Sequence, residues 1–291
     1  MATELVGIIG GSGLGDALVE HFSSAKTVNM DTPFGSPSGP ITVGTFGNRE
    51  VAFLNRHGLD HTHNPSCVPY AANIFALKRM GVRTVLASGA VGSLREEIAP
   101  GHLVVVDQFI DKTVRRQGSF FDDYGAVHCE MADPVCSRLH QAIVETARTL
   151  YCGTHDSGTY VCMEGPQFSP RAESLMHRAW GGDLIGMTAM PEAKLAREAQ
   201  MCYTLVALVS DYDCWRPPEG TQEKQALLAE IIANLGTATE NCLELMRAVL
   251  AGDVDLVDSE CSCRSSLSLA VWTPQAGLDA EKTQKLAPLF E

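Results

Sequence analysis

The sequence predicts an α/β fold with a mixed central sheet flanked by helices. Short continuous apolar runs that end in glycine-rich or polar turns recur along the 291 residues, and stretches of helical spacing lie between them. Continuous apolar runs are typical of strands buried on both faces. Alternation of such strands with helices is typical of a layered α/β protein, and the 45% hydrophobic content is enough for a sizeable core.

Five apolar runs are predicted strands. In chain order they span residues 5–9, 51–55, 84–87, 103–107 and 203–209. The first runs into Gly10-Gly11-Ser12-Gly13, the second into Arg56-His57-Gly58 and the last into Ser210-Asp211. Because functional groups collect at the carboxyl ends of strands in such sheets, these turns hold the candidate site residues.

Five helices are predicted between and after the strands. They span residues 69–80, 133–150, 169–180, 191–203 and 219–250. Gly81 follows the first helix as a C-cap, Asp133-Pro134 opens the second, and Pro191-Glu192 opens the fourth. The chain contains no repeat and no clear linker, and we expect an irregular, loosely packed tail from residue 252.

Composition excludes several classes of function. A net charge of -13 argues against a general nucleic-acid-binding protein, which needs a basic face. The N-terminal residues have no basic region followed by an apolar run, so no signal peptide is expected. No stretch reaches the roughly 20 apolar residues of a membrane span, and we therefore expect a cytoplasmic protein.

Ten cysteines are scattered along the chain, and the only local cluster is Cys261-Ser262-Cys263. A zinc half-site or a redox pair would have this spacing. However, no histidine or CxxC pair lies beside it in the sequence. We interpret these cysteines as buried thiols, as expected in a reducing compartment, and predict no metal site.

Three segments carry groups suited to an anion. Gly10–Gly13 offers backbone N–H groups and the hydroxyl of Ser12, although an ordinary tight turn would have the same composition. Arg56 provides a planar fork that matches phosphate. The segment Gly89-Ala90-Val91-Gly92-Ser93 is expected to be a strand-to-loop turn with further N–H donors. A metal site at His57, His61 and His63 is the alternative for the second segment, and phosphate is favoured over it.

Two carboxylates follow the last predicted strand. Asp211 and Asp213 are separated by one residue, and burial together with mutual repulsion would raise the pKa of at least one of them. A protonated aspartate is suited to general-acid catalysis, whereas a solvated acidic turn is the alternative. Phe168 and Met187 would either wall an apolar pocket or belong to the core.

These segments together resemble the methylthioadenosine phosphorylase branch of the trimeric purine nucleoside phosphorylase family. The resemblance runs from about residue 5 to about residue 216. The matching motifs are Gly10–Leu14, Arg56-His57-Gly58 with His61 and Pro65-Ser66, Gly92–Arg95, Pro100-Gly101, Asp107–Asp111, Glu164-Gly165-Pro166, Met187-Thr188 with Pro191-Glu192, and Asp211–Trp215. Their common order and spacing make the resemblance specific.

The resemblance implies a nucleoside phosphorylase domain over residues 1–251, an extension over residues 252–291, and a homotrimer. The implied phosphate-binding residues are Ser12, Arg56, His57, Gly89, Ala90 and Thr188. The implied substrate-binding residues are His61, Phe168, Ser169, Met187, Asp211 and Asp213, with His128 supplied to a neighbouring subunit near the 5' group. Where relatives often carry a hydroxyl residue this chain has Gly89, and Gln167 and Pro170 also depart from the common pattern.

The implied activity is that of a pentosyltransferase of purine and methionine salvage. Phosphate, the co-substrate, attacks the anomeric carbon of S-methyl-5'-thioadenosine, and protonated Asp211 assists departure of the purine at N7. Asp213 accepts from the 6-amino group, and no metal or organic cofactor is required. The alternatives are a broader phosphorylase for adenosine, inosine or guanosine, a hydrolase, and a non-catalytic nucleoside-binding protein. A nicotinamide dehydrogenase is disfavoured because the third glycine of its fingerprint is missing.

Overall fold

The computed structural model describes residues 5–11, 14–150, 152–216, 224–252, 254–257, 260–274 and 278–291, without the side chains of Asp16 and Lys224. Eleven strands of this part of the chain form one mixed sheet. They are β1 Val6–Gly10, β2 Ser23–Val28, β3 Ile41–Phe46, β4 Arg49–Asn55, β5 Thr84–Ser93, β6 Leu103–Val106, β7 Gln108–Asp111, β8 Thr154–His155, β9 Thr159–Cys162, β10 Leu184–Gly186 and β11 Cys202–Asp211.

Seven α-helices accompany these strands in the described residues. They are α1 Leu14–Val19, α2 Tyr70–Arg79, α3 Ser137–Ala147, α4 Arg171–Ala179, α5 Glu192–Glu198, α6 Lys224–Ala251 and α7 Ala280–Leu286. The predicted mixed α/β fold is confirmed, since β1 pairs in parallel with β4 and β5 while β10 pairs antiparallel with β5. No helix in the described ranges has the length and apolar character that a membrane crossing requires.

The sheet separates two apolar layers. Alternate residues of β1 point to opposite sides, so Ile9 packs in the layer that includes α2 and α5, whereas Ile8 packs in the layer that includes α1, α3 and α6. Strands covered on both faces in this way require the continuous apolar runs from which they were predicted.

Two predicted boundaries are wrong in an informative way. β5 continues through Gly89–Ser93, where we expected a turn, because β11 pairs with it in parallel as far as Gly92. The predicted helix over 191–203 ends at Glu198, and Cys202 already begins β11. Buried apolar residues continue through both elements, so apolar content alone does not mark the change from helix to strand.

The tail has little regular structure, but the expectation of loose packing is wrong for its described residues. Leu256 and Cys263 are buried in the layer that contains α6. Leu267, Leu286 and Leu289 are buried in the opposite layer. The tail therefore covers both faces of the sheet.

Candidate active site

The carboxyl ends of three adjacent strands bring together the residues expected to bind an anion. The N–H of Arg56, after β4, donates to the carbonyl of Gly10 at the end of β1 over 3.0 Å. A methyl group on Gly11 would lie 3.3 Å from Nη1 of Arg56 and 3.4 Å from Cα of Gly89 on β5. Gly11 therefore allows the Arg56 fork to approach the backbone of β5 closely.

Arg56 is fully buried and paired with a carboxylate that the sequence did not identify. Its Nε and Nη2 donate to the two oxygens of Glu192 over 2.7 and 2.8 Å, and Nη1 donates to the carbonyl of Ser88 over 2.6 Å. The Tyr203 hydroxyl donates to the same carboxylate over 2.9 Å. Burial lowers the pKa of Arg56, but Glu192 more than offsets this and raises it. One N–H on each of Nη1 and Nη2 is left over from these bonds.

His57 is buried beside Arg56 and is neutral at pH 7. Its Nδ1 lies 2.8 Å from the His63 carbonyl, so Nδ1 carries the proton. Burial lowers the pKa of His57 to about 4; the His63 carbonyl opposes this, and Arg56 reinforces it. The charge of Arg56 is matched by Glu192, so Arg56, His57 and Glu192 together carry no net positive charge. Anion binding here depends on directed N–H and O–H donors.

Thr188 and Gly89 complete the described part of this donor group. Thr188 is buried, and its Oγ1 lies 3.3 Å from the position of a methyl group on Gly89. A larger residue at Gly89 would occupy the space in front of the Thr188 hydroxyl. Ala90 and Gly92 are the two partly exposed residues of β5 and lie on the same face of that strand. Ser12, the other predicted hydroxyl donor, lies outside the described residues.

Asp211 and Asp213 lie away from the anion-binding donors, beside Gly92 near the carboxyl end of β5. Asp211 accepts from the Ser210 hydroxyl over 2.6 Å and from the Asp213 N–H over 2.7 Å. Burial raises the pKa of Asp213, and the neighbouring charge of Asp211 reinforces this. The raised pKa is thus that of Asp213, whereas Asp211 was the expected proton donor.

β5 connects the two groups. Gly89 contacts the donor group, and a methyl group on Gly92 would lie 3.1 Å from Oδ1 of Asp211. Three residue steps along the strand separate these glycines by about 10 Å, at roughly 3.3 Å per step. The donor group and the two aspartates therefore contact β5 at two points about 10 Å apart along its carboxyl-terminal half.

Of the other residues predicted to bind substrate, some contact the anion-binding donors or the aspartate loop and others do not. Ser169 is buried, and its carbonyl accepts from Cys214 Sγ over 3.1 Å, which joins it to the aspartate loop. His61 stacks on His57 with ring centroids 4.6 Å apart. Phe168 is 85% exposed, so it does not belong to the core. His128 is exposed and packs edge-on against Trp272.

Met187 is positioned by a buried network that the sequence also did not reveal. Arg116 donates to the carbonyls of Met187 and Glu164 over 2.6 and 2.7 Å and to the Glu164 carboxylate over 3.1 Å. Burial raises the pKa of Glu164, but donors from Ser66, two backbone N–H groups and Arg116 lower it to about 2. Glu164 belongs to the Glu164-Gly165-Pro166 motif, but nothing in the sequence indicated its contact with Arg116, which lies 48 residues away.

Comparisons with known proteins show the family to which this chain is related. The sequence profile of the phosphorylase superfamily matches residues 5–251. The S-methyl-5'-thioadenosine phosphorylase of Cereibacter sphaeroides is 44% identical, over 97% of this chain and 96% of its own length. That of Saccharolobus solfataricus is 46% identical, over 91% and 96%.

Solved structures are similar over the same extent. A methylthioadenosine phosphorylase from an antarctic soil metagenomic library has a TM-score of 0.90 at 39% identity, with 100% of both chains covered. A variant of the adenosine/methylthioadenosine phosphorylase of Schistosoma mansoni, solved with methylthioadenosine, has a TM-score of 0.81 at 32% identity, over 91% of this chain and 96% of that one.

Proposed function

The chain belongs to the phosphorylase superfamily, and we propose that it converts S-methyl-5'-thioadenosine and phosphate to adenine and 5-methylthioribose 1-phosphate. The observation that carries this proposal is the pair of polar groups about 10 Å apart along β5. Donors from Arg56 and Thr188 lie at one end, and the carboxyl groups of Asp211 and Asp213 lie at the other.

Phosphate is the nucleophile in this reaction. Arg56, held rigidly by Glu192, directs its remaining N–H groups at the anion together with the Thr188 hydroxyl and the Ala90 N–H. Holding phosphate beside the anomeric carbon makes the attack effectively unimolecular. A phosphate oxygen bonds to that carbon as the bond to the purine nitrogen breaks, and its negative charge stabilises the positive charge that develops on the ribose ring.

The aspartates stabilise the leaving purine. Asp211 and Asp213 both lie beside Gly92, and one of the two carboxyl groups acts as the proton donor. Its proton is donated to purine N7, where the electrons of the broken bond collect. The other carboxylate accepts from the 6-amino group, which favours adenine over a 6-oxopurine because a carboxylate repels a 6-oxo group.

The proposal also includes a homotrimeric assembly and a cytoplasmic location. A homotrimer would let His128 reach the 5' group of a substrate in a neighbouring subunit, which is consistent with its exposure. In the cytoplasm the reaction would serve purine and methionine salvage, with inorganic phosphate as co-substrate and no organic cofactor.

The experiment is a measurement of adenine release from methylthioadenosine with and without phosphate. We expect release only with phosphate, with one equivalent of the sugar phosphate formed per adenine. Release without phosphate would identify a hydrolase, and tight binding without release a nucleoside-binding protein. Equal or greater activity on adenosine, inosine or guanosine would identify a broader phosphorylase. Each of these three results contradicts the proposal.

A further inference from the structure

Four cysteine residues that are not part of the candidate active site bring their sulfur atoms close together. The sulfurs of Cys136, Cys202, Cys261 and Cys263 all lie within 4.8 Å of one another. Cys136 precedes α3, Cys202 begins β11, and the other two belong to the tail. No histidine or CxxC pair lies beside Cys261 along the chain, but the thiols of Cys136 and Cys202 approach from distant segments.

We propose that Cys136, Cys202, Cys261 and Cys263 form a structural zinc site that fastens the C-terminal tail to the start of β11. Four thiolates in a tetrahedral arrangement are a common structural zinc site, with zinc–sulfur distances of about 2.3 Å. That bond length places the sulfurs about 3.8 Å apart at the edges of the tetrahedron. Sγ of Cys136 and Sγ of Cys261 are 3.7 Å apart, far from the roughly 2.05 Å of a disulfide.

The burial of the cluster suits a structural rather than a catalytic site. Cys136, Cys202 and Cys263 are buried and Cys261 is partly exposed. All four ligand positions are filled by protein, so no position is left for water or substrate. A backbone hydrogen bond holds two of the cysteines near each other: the Cys136 N–H donates to the carbonyl of Tyr203, the residue after Cys202, over 2.9 Å.

The surrounding charges match the expected complex. Zinc with four thiolates carries two net negative charges, and burying them requires nearby cations. Nη2 of Arg138 lies 3.8 Å from Sγ of Cys202, and Nη1 of Arg197 lies 3.8 Å from Sγ of Cys263. Two guanidinium groups on different helices thus contact two of the four sulfurs and offset the charge of the complex.

The site would also order a part of the tail that lies beyond it. The His128 N–H donates to the Ala270 carbonyl over 2.8 Å, and the Trp272 N–H donates to the Ala126 carbonyl over 2.9 Å. These bonds join the tail to the segment around His128. Because metal binding contributes to folding free energy where ligands come from separate segments, removing the metal should loosen this pairing.

Metal analysis of the full-length protein tests the proposal. The protein is expressed with added zinc, purified under reducing conditions and analysed for metal content by mass spectrometry. We expect one zinc per chain, lost in Cys261→Ser and retained in Cys152→Ser. Cys152 is a matched control because it is also partly exposed and lies outside the cluster. Equal zinc in both variants, or no zinc in the unsubstituted protein, would overturn the proposal.

Two further measurements keep the test decisive if Cys261→Ser does not fold. Cobalt added to zinc-stripped unsubstituted protein should give the thiolate charge-transfer absorption of tetrahedral cobalt. Chelation should increase amide hydrogen exchange around residues 126–128 and 270–272 and leave α2 unchanged. A cobalt spectrum without thiolate bands would overturn the proposal, as would a disulfide among the four cysteines in freshly purified protein.

Discussion

Replacing Glu192 by glutamine tests whether this carboxylate holds Arg56 in place. The two side chains are 1% and 0% exposed and share two hydrogen bonds of 2.7 and 2.8 Å. The substitution keeps the shape but leaves the buried guanidinium without a counter-charge. Removing one partner of such a pair costs roughly 3–5 kcal/mol. Because the amide oxygen can still accept one bond, we expect a loss of about 3 kcal/mol in the free energy of unfolding.

This loss is large beside a total free energy of unfolding of roughly 5–15 kcal/mol. It corresponds to a fall in the melting temperature of about 6 °C or more. The assay is urea and thermal unfolding of both proteins at pH 7. Glu198→Gln is the matched control, since Glu198 is buried in the same helix, accepts from Ser119 and the Phe120 N–H, and has a pKa raised by burial to about 7.

Burial raises the pKa of Glu198 towards neutral pH, so its carboxyl group is partly protonated at pH 7. Its amide variant leaves no buried guanidinium without a counter-charge. We expect the control to change the free energy of unfolding by less than half as much as Glu192→Gln. Equal losses in the two variants would refute the argument that charge pairing with Arg56 sets the stability of this region.

Three further predictions concern the anion, the base and the acid stability of the protein. Thr188→Val should raise the KM for phosphate roughly tenfold or more, since a hydrogen bond to a charged group contributes about 1.5–3 kcal/mol. Thr188→Ser, which keeps the hydroxyl, should not raise it. Equal KM values for the two variants would show that the Thr188 hydroxyl does not bind phosphate. Asp213→Asn should shift the ratio of kcat/KM values for 6-aminopurine and 6-oxopurine nucleosides towards the 6-oxopurines, because an amide can donate to the 6-oxo group. An unchanged ratio would show that Asp213 does not contact the base. Glu164 has a folded pKa of about 2 against an ordinary 4.5, so its stabilisation is complete above about pH 4.5 and is lost as the pH falls towards 2. Glu164→Gln should therefore weaken the dependence of the free energy of unfolding on pH between about 2 and 4.5. The same dependence in both proteins would contradict the role given to the hydrogen bonds of Glu164.

Five strands of the sheet could be predicted from the sequence, namely β1, β4, β5, β6 and β11, whereas β2 and β8 could not. β1, β4, β5 and β11 are buried apolar runs, whose pattern is characteristic without knowledge of the fold. β2 consists of mostly exposed polar and small residues, and β8 has only two residues. Pairing with neighbours, not composition, makes these segments strands.

The candidate site shows the same division between local and long-range information. Arg56 and Asp211 could be identified because they follow buried strands directly. Glu192 lies 136 residues from Arg56, and no local pattern connects them. The neutral state of His57 depends on burial and on the nearby charge of Arg56, neither of which can be read from residue types. The four clustered cysteines likewise meet only when α3, β11 and the tail pack together.

A crystal structure with adenine and phosphate bound tests the central claim most directly. The account predicts phosphate within hydrogen-bond distance of Arg56 and Thr188, and adenine with its N7 and 6-amino groups facing Asp211 and Asp213. The phosphorus and the base should lie at opposite ends of the Gly89–Gly92 segment of β5. Phosphate bound away from Arg56, or adenine bound away from both aspartates, would contradict it.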